Sequence, residues 1–198
     1  GGFFGTTLHE EGDVFLIDDC LNEGKVTGQL QYIGGFVGHI ISQDMVITFS
    51  NCVNKGEVTT GLSVAGFIGG FVTNKYTTLK IINSTNSGKI TKSTHAGGFI
   101  SSFIMNEYSQ LLISGCLNKG AVSGENAAGF VSIAVTNTGT EITFRESANN
   151  GDITGEKMAE GFGYLFNEHY LILNCMNTGT IKSPAGACGL VNCAGNAY

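Results

Sequence analysis

The side chains best suited to chemistry in this chain are four histidines, six cysteines and one short run of acids. His9, His39, His95 and His169 stand at unrelated points, and no two have the close spacing of metal ligands. Glu10, Glu11 and Asp13, followed by Asp18 and Asp19, make the densest acidic group. Repeat proteins that bind calcium place acids at the same turn in unit after unit. Here the acids do not recur, and the group reads as a solvated edge. The expectation is therefore no catalytic residue, no metal ligand and no cofactor.

The cysteines do recur. Cys20, Cys52, Cys116 and Cys175 each stand two residues before an Asn, and Ser84 and Ser147 fill the same slot elsewhere. A position that takes either Cys or Ser asks for a small side chain of weak polarity, so buried free thiols are expected rather than a disulfide framework. Cys20 and Cys52 lie in adjacent units and are the exception that a bridge could join. Cys188 and Cys193 are close enough to pair locally.

That Asn leads to the organisation of the chain. It falls at Asn22, Asn54, Asn86, Asn118, Asn149 and Asn177, at intervals of 32, 32, 32, 31 and 28. Two residues later comes a Gly, expected to turn the chain with positive φ, and two further on a Val or Ile. A second marker keeps the same period: Gly2, Gly35, Gly66, Gly98, Gly129, Gly161 and Gly189, followed by Phe in six cases and by Leu190 in the last. Two independent markers with one period define a repeat array. The chain reads as one array over 1–198, with units near 1–33, 34–64, 65–96, 97–127, 128–159 and 160–187 and a partial seventh at 188–198. It opens inside a unit, at Gly1-Gly2-Phe3, which suggests a piece of a longer solenoid.

Each unit holds three short apolar runs. One starts at the glycine–aromatic marker and continues through pairs such as Ile40-Ile41, Phe71-Val72 and Phe103-Ile104. Another places apolar residues seven and five positions before the Asn, as in Ile47 and Phe49 or Leu111 and Ile113. Spacing of two is the signature of a strand with one buried face. The third is the short segment typified by Lys25-Val26-Thr27. No stretch offers helical spacing without Gly. The predicted fold is all-β: a parallel β-solenoid of about six coils of ~32 residues, three strands each, stacked at about 4.8 Å. Like residues then stack on like, and the Asn forms a ladder that bonds the turn and its neighbours.

Composition excludes several classes of function. Net charge is −6, with only ten Lys and Arg, which leaves no clustered basic surface for nucleic acid. No apolar run is long enough to span a membrane. An enzyme on a solenoid needs acids or bases converging on one face. The outward residues of the second strand (Leu16, Thr48, Lys80, Leu112, Thr143, Leu171) and those two further on (Asp18, Ser50, Ile82, Ser114, Arg145, Leu173) mix apolar with small polar groups. Ile82, Leu112, Leu171 and Leu173 are candidates for a covered patch. Tyr76, Tyr108 and Tyr170 follow the bends at Asn74, Asn106 and Asn167. They are expected simply to begin the second strand, with a role as a contact rim the alternative.

Units such as Ala65-Gly66-Phe67-Ile68-Gly69 and Asn51-Cys52-Val53-Asn54-Lys55-Gly56-Glu57-Val58 resemble the GLUG-type repeats of bacterial and protist surface proteins. There a Gly-Gly-hydrophobic-hydrophobic-Gly element alternates with Asn-Cys-x-Asn-x-Gly-x-Val. The resemblance covers the whole chain, although Phe stands where Leu or Ile is common and the intervening segment is longer and more apolar. It implies a non-catalytic extracellular scaffold, adhesin- or stalk-like, that presents loops to a protein or glycan; it carries over no binding residue. The alternatives are a filament or cytoskeletal component in the cytoplasm and, third, a polysaccharide-active enzyme on a β-helix. Either scaffold would have its ends covered by further coils of the same chain or by neighbouring subunits. The single Asn-x-Ser/Thr sequon, Asn83-Ser84-Thr85, separates the first two, because a glycan there requires secretion.

Overall fold

A computed structural model describes residues 1–8, 12–29, 31–166 and 169–191. The chain is a parallel β-solenoid of about six coils, and no helix occurs among the described residues. One coil shows the plan: Ile100–Met105, Gln110–Ser114, Leu117–Asn118 and Val122–Ala128. Each strand pairs in parallel with its counterparts one repeat before and after, so four sheets run along the stack.

The expected three strands per coil are thus four. The Asn dipeptide lies between two bends and cannot continue the strand before it, so Val53–Asn54, Thr85–Asn86 and their equivalents pair as a separate sheet. The third predicted run is also longer than its Val-Thr core. In the middle coils it extends through Val58–Ala65 and Ile90–Gly97, up to the next glycine–aromatic marker.

Alternation within the strands builds the interior. In the first sheet Ile40, Phe71, Phe103, Ala134 and Leu165 point inward; in the second, Ile47 and Phe49, Leu79 and Ile81, Leu111 and Ile113, and Ile142 and Phe144 do so. The marker phenylalanines form a continuous row, Phe3–Phe36–Phe67–Phe99–Phe130–Phe162, with ring centroids 4.6 to 5.1 Å apart. That distance is the strand spacing, so in-register pairing places each ring on the next. Phe49 and Phe144 meet the row edge-on. A second, smaller core lies under the fourth sheet, where both ends of the long strands contribute: Val58 with Val64, Ile90 with Ala96, Val122 with Ala127.

Left-handed backbone recurs at two corners of the described coils. Before the Cys/Ser slot the residues are Asp19, Asn51, Asn83, Gly115, Glu146 and Asn174, with φ of 49° to 64°. Between the first and second sheets they are Gly12, Asp44, Tyr76, Tyr108 and Gly139, with φ of 49° to 85°. The first set is mostly Asn, Asp and Gly, the types that tolerate this region. The glycine of Asn-x-Gly, expected to turn this way, does not. Among the described glycines only Gly12, Gly115 and Gly139 have positive φ.

Candidate functional site

The Asn row is the most regular polar feature of the interior. Each Nδ2 donates to the Oδ1 of the next coil at 2.7 to 2.8 Å, from Asn22 through Asn54, Asn86, Asn118 and Asn149 to Asn177. From Asn54 onward the same nitrogen also donates to the carbonyl two residues on, as from Asn118 to Gly120 at 3.1 Å. Asn54, Asn86, Asn118 and Asn149 are fully buried, so the bonds satisfy groups that water does not reach. Both glycine markers serve this row. A Cβ on Gly120 would lie 2.0 Å from the Gly88 carbonyl and 2.9 Å from Asn86 Nδ2. One on Gly98 would lie 2.0 Å from the Gly129 carbonyl and 2.8 Å from Asn118 Oδ1. Close approach, not turning, demands glycine at both.

The Cys/Ser slot has a specific job. Sγ of Cys52, Cys116 and Cys175, and Oγ of Ser84 and Ser147, donate to the carbonyl two residues earlier. Ser84 Oγ and Ser147 Oγ also accept from the backbone N–H of Cys52 and Cys116. Cys20, Cys52, Cys116 and Cys175 are free thiols, so no bridge joins Cys20 to Cys52. Cys188 is disulfide-bonded; Cys193, the other half of the expected local pair, lies outside the described residues. Burial pushes the Cys116 thiol up to about 12 from 9.0, against weaker opposing hydrogen bonds to Ser84 and Ser114. An acid whose folded pKa is raised keeps its proton in the fold while the unfolded chain loses it, so stability falls as pH rises between those values. Cys116→Ser is expected to remove about 1.4 kcal/mol per pH unit of that alkaline loss, visible in urea melts taken from pH 9 upward. An unchanged slope would refute the assignment.

The described histidines and acids have separate surroundings. His39 stacks on Tyr32 at 4.2 Å, and burial lowers its pKa. Burial lowers that of His95 too, against an upward pull from Glu125. Asp18 accepts from Ser50 Oγ and Asn51 Nδ2, which hold its carboxyl below the usual carboxylate range. His9, Glu10 and Glu11 lie outside the described residues. Among those described, no three His, Cys, Asp or Glu side chains come together as a metal site. Lys25 with Glu57, Lys55 with Glu23 and Lys157 with Glu125 pair across adjacent coils at the surface.

The outer face of the second sheet is less apolar than its leucines suggest. Ile82 and Leu112 are half-buried, while Leu16, Leu171 and Leu173 are exposed in the first and last coils. Thr48, Lys80 and Thr143 interrupt one column; Ser50, Ser114 and Arg145 interrupt the other. A more continuous apolar row lies on the outer face of the first sheet. Ile41, Val72, Ile104, Val135 and Phe166 pair in register, one per coil, and are half-buried or exposed. Sequence reasoning missed it, although the signal was present. Two consecutive apolar residues on a strand point to opposite faces, so each such pair must leave one outside.

Tyr76 and Tyr108 correct another expectation. They do not begin the second strand, which starts at Thr78 and Gln110. They occupy the left-handed corner just before it, at φ 49° and 55°, and are 51% and 54% exposed. Their rings stack at 5.6 Å, with Lys75 Nζ 5.7 Å from the Tyr76 ring centre. Gly139 continues the column, and a Cβ there would lie 2.5 Å from the Tyr108 ring. Tyr170 does join the second strand but is 37% exposed, since it lies on the last strand of its sheet. Its companions Asn167 and Glu168 are outside the described residues.

Comparison with family models, curated proteins and solved structures finds no match for this chain.

Proposed function

We propose that this chain is a non-catalytic repeat scaffold of the GLUG type, part of a large surface or secreted protein, adhesin- or stalk-like in role. Its repeated residues stack and turn the coils, and its non-repeating corners meet a protein or glycan partner. The observation that carries this reading is the exposed pair Tyr76 and Tyr108 on left-handed backbone. A bulky residue there is disfavoured by roughly 1–2 kcal/mol, and such strain clusters where a side chain must be presented. Tyrosine is also the residue type enriched at binding hot spots.

The test screens the purified chain against glycans and extracellular-matrix proteins, then compares Tyr76→Asn with Tyr108→Asn and with both together. Asn accepts the left-handed corner, so stability is expected to hold or rise, while binding falls about tenfold or more, which is about 1.4 kcal/mol. A double variant that binds as the parent does would remove the corner from the contact.

A second reading, a filament component, draws support from the outer face of the first sheet. Ile41, Val72, Ile104 and Val135 form an apolar row there, half-buried or exposed and one per coil, a surface for a neighbouring subunit. Antibody labelling that appears only after cells are permeabilised would favour the filament over the surface scaffold.

A further inference from the structure

We infer that Asn83 carries an N-linked glycan, which makes the corner between the second and third sheets a modification site. The inference rests on the secreted or surface reading above. Its chemistry is that of an Asn-x-Thr acceptor: Nδ2 of Asn83 bonds to C1 of the reducing-end sugar of a lipid-linked oligosaccharide. The C1–O bond to the lipid pyrophosphate breaks, the amide gives up one proton, and the lipid pyrophosphate departs with the electron pair. The sequon supplies the acceptor and its hydroxyl partner, Thr85.

What the fold adds is a position at which the finished coil can carry the glycan. The corner column holds three asparagines, Asn51, Asn83 and Asn174, all on left-handed backbone. Asn51 and Asn174 are followed two residues later by Val53 and Met176, which have no hydroxyl. The Nδ2 of Asn51 is moreover engaged by Asp18 at 3.0 Å. The Asn83 side chain is exposed and makes no hydrogen bond among the described residues. In the next coil the column position is Gly115, the only glycine of the six, and it too is exposed. A Cβ on Gly115 would lie 2.5 Å from Asn83 Oδ1, so glycine in the next coil leaves the Asn83 amide its space. The amides of the buried ladder asparagines are instead committed inside the stack.

The site also has room in the assembled stack. Ser84 points inward and is fully buried, donating to the Ile82 carbonyl at 2.8 Å, and this fixes the corner with Asn83 on the outside. A glycan there leaves every strand pairing and the Asn row untouched.

The experiment expresses the full chain behind a secretion signal in a eukaryotic host. Glycan is read in both secreted and retained material, because transfer to the chain precedes folding and a folding failure would not hide it. The expected result is a single glycoform series, released by a peptide amidase with conversion of Asn83 to Asp, and absent from both Asn83→Gln and Thr85→Ala. Glycosylated and enzymatically deglycosylated chains should unfold at the same urea concentration. A chain at the mass of the bare polypeptide in both fractions would overturn the site, as would a glycan whose presence opens the coils. Because the host imposes the secretory route, that outcome leaves the surface reading standing. A glycan at Asn83 in the host, with only intracellular labelling in native cells, would defeat the surface reading instead.

Discussion

Replacing Phe99 by Ala is expected to lower the unfolding free energy by about 3–5 kcal/mol, the range for a buried aromatic truncated to a methyl group. Phe99 is fully buried, between Phe67 at 4.7 Å and Phe130 at 4.9 Å. Its backbone carbonyl accepts from Phe67 and Ile68, and its N–H donates to Phe130, so the strand pairing does not depend on the ring. The loss is therefore a cavity in the row. Neighbouring rings cannot close it without leaving the register that strand pairing imposes. Phe3, 47% exposed at the head of the same row, is the internal control, and Phe3→Ala should be far milder. Coils contact only their neighbours, so hydrogen exchange should quicken first around the damaged coil. Urea melts and exchange together check this; equal losses at Phe3 and Phe99 would remove burial as the source of the row's stability.

Asn118→Asp should be comparably severe and should depend on pH. Asn118 accepts from Asn86 and donates to both the Gly120 carbonyl and Asn149 Oδ1. An ionised Asp keeps the shape and the accepting role but places negative charge against two oxygens, without water. An uncompensated buried charge costs about 3–5 kcal/mol. Burial and those oxygens raise the new carboxyl's folded pKa above its unfolded value, roughly 3.9. The folded chain then holds the proton over a range where the unfolded chain has lost it. Stability accordingly falls as pH rises through that range, and acidification restores it by returning the donor. Asn150→Asp, at the exposed middle of the next turn, should stay within about 0.5 kcal/mol of the parent at all pH values. A pH-independent Asn118→Asp would mean that the amide is not a donor in the row.

Several features were readable before any coordinate because stacking in register turns a sequence period directly into a spatial row. The Phe and Asn rows follow from identical residues at intervals near 32. The inward residues of the second strand follow from spacing of two. The Cys/Ser alternation pointed to a small slot, but not to the hydrogen bond that defines it. Cys52 and Ser84 share a donor aimed at the carbonyl two residues earlier, a contact that exists only once the corner has formed.

The corners were read less well, and for a physical reason. Left-handed backbone recurs at Asp19, Asn51, Asn83, Gly115, Glu146 and Asn174, and at Gly12, Asp44, Tyr76, Tyr108 and Gly139. Glu, Tyr and Gly have no common signature, so the repeat is one of conformation rather than residue type. The Asn-x-Gly glycine resembled a turn residue, and its actual constraint is a carbonyl of the neighbouring coil. Likewise the tyrosines resembled strand residues until the strand was seen to begin two positions later.

By itself the sequence determined the solenoid: two markers in phase, strand alternation and glycine without proline leave little else for the chain to build. Only the tertiary structure showed why the two markers travel together. Gly98 and Asn118 lie twenty residues apart along the chain. Across the coil, any Cβ on Gly98 would stand 2.8 Å from Asn118 Oδ1, so the glycine gives the ladder its space. Such a constraint leaves no periodic trace of its own, because it acts between positions that already share one period. The exposed tyrosine corner and the solvent-facing Asn83 belong to the same class, set by how each coil bends rather than by what repeats.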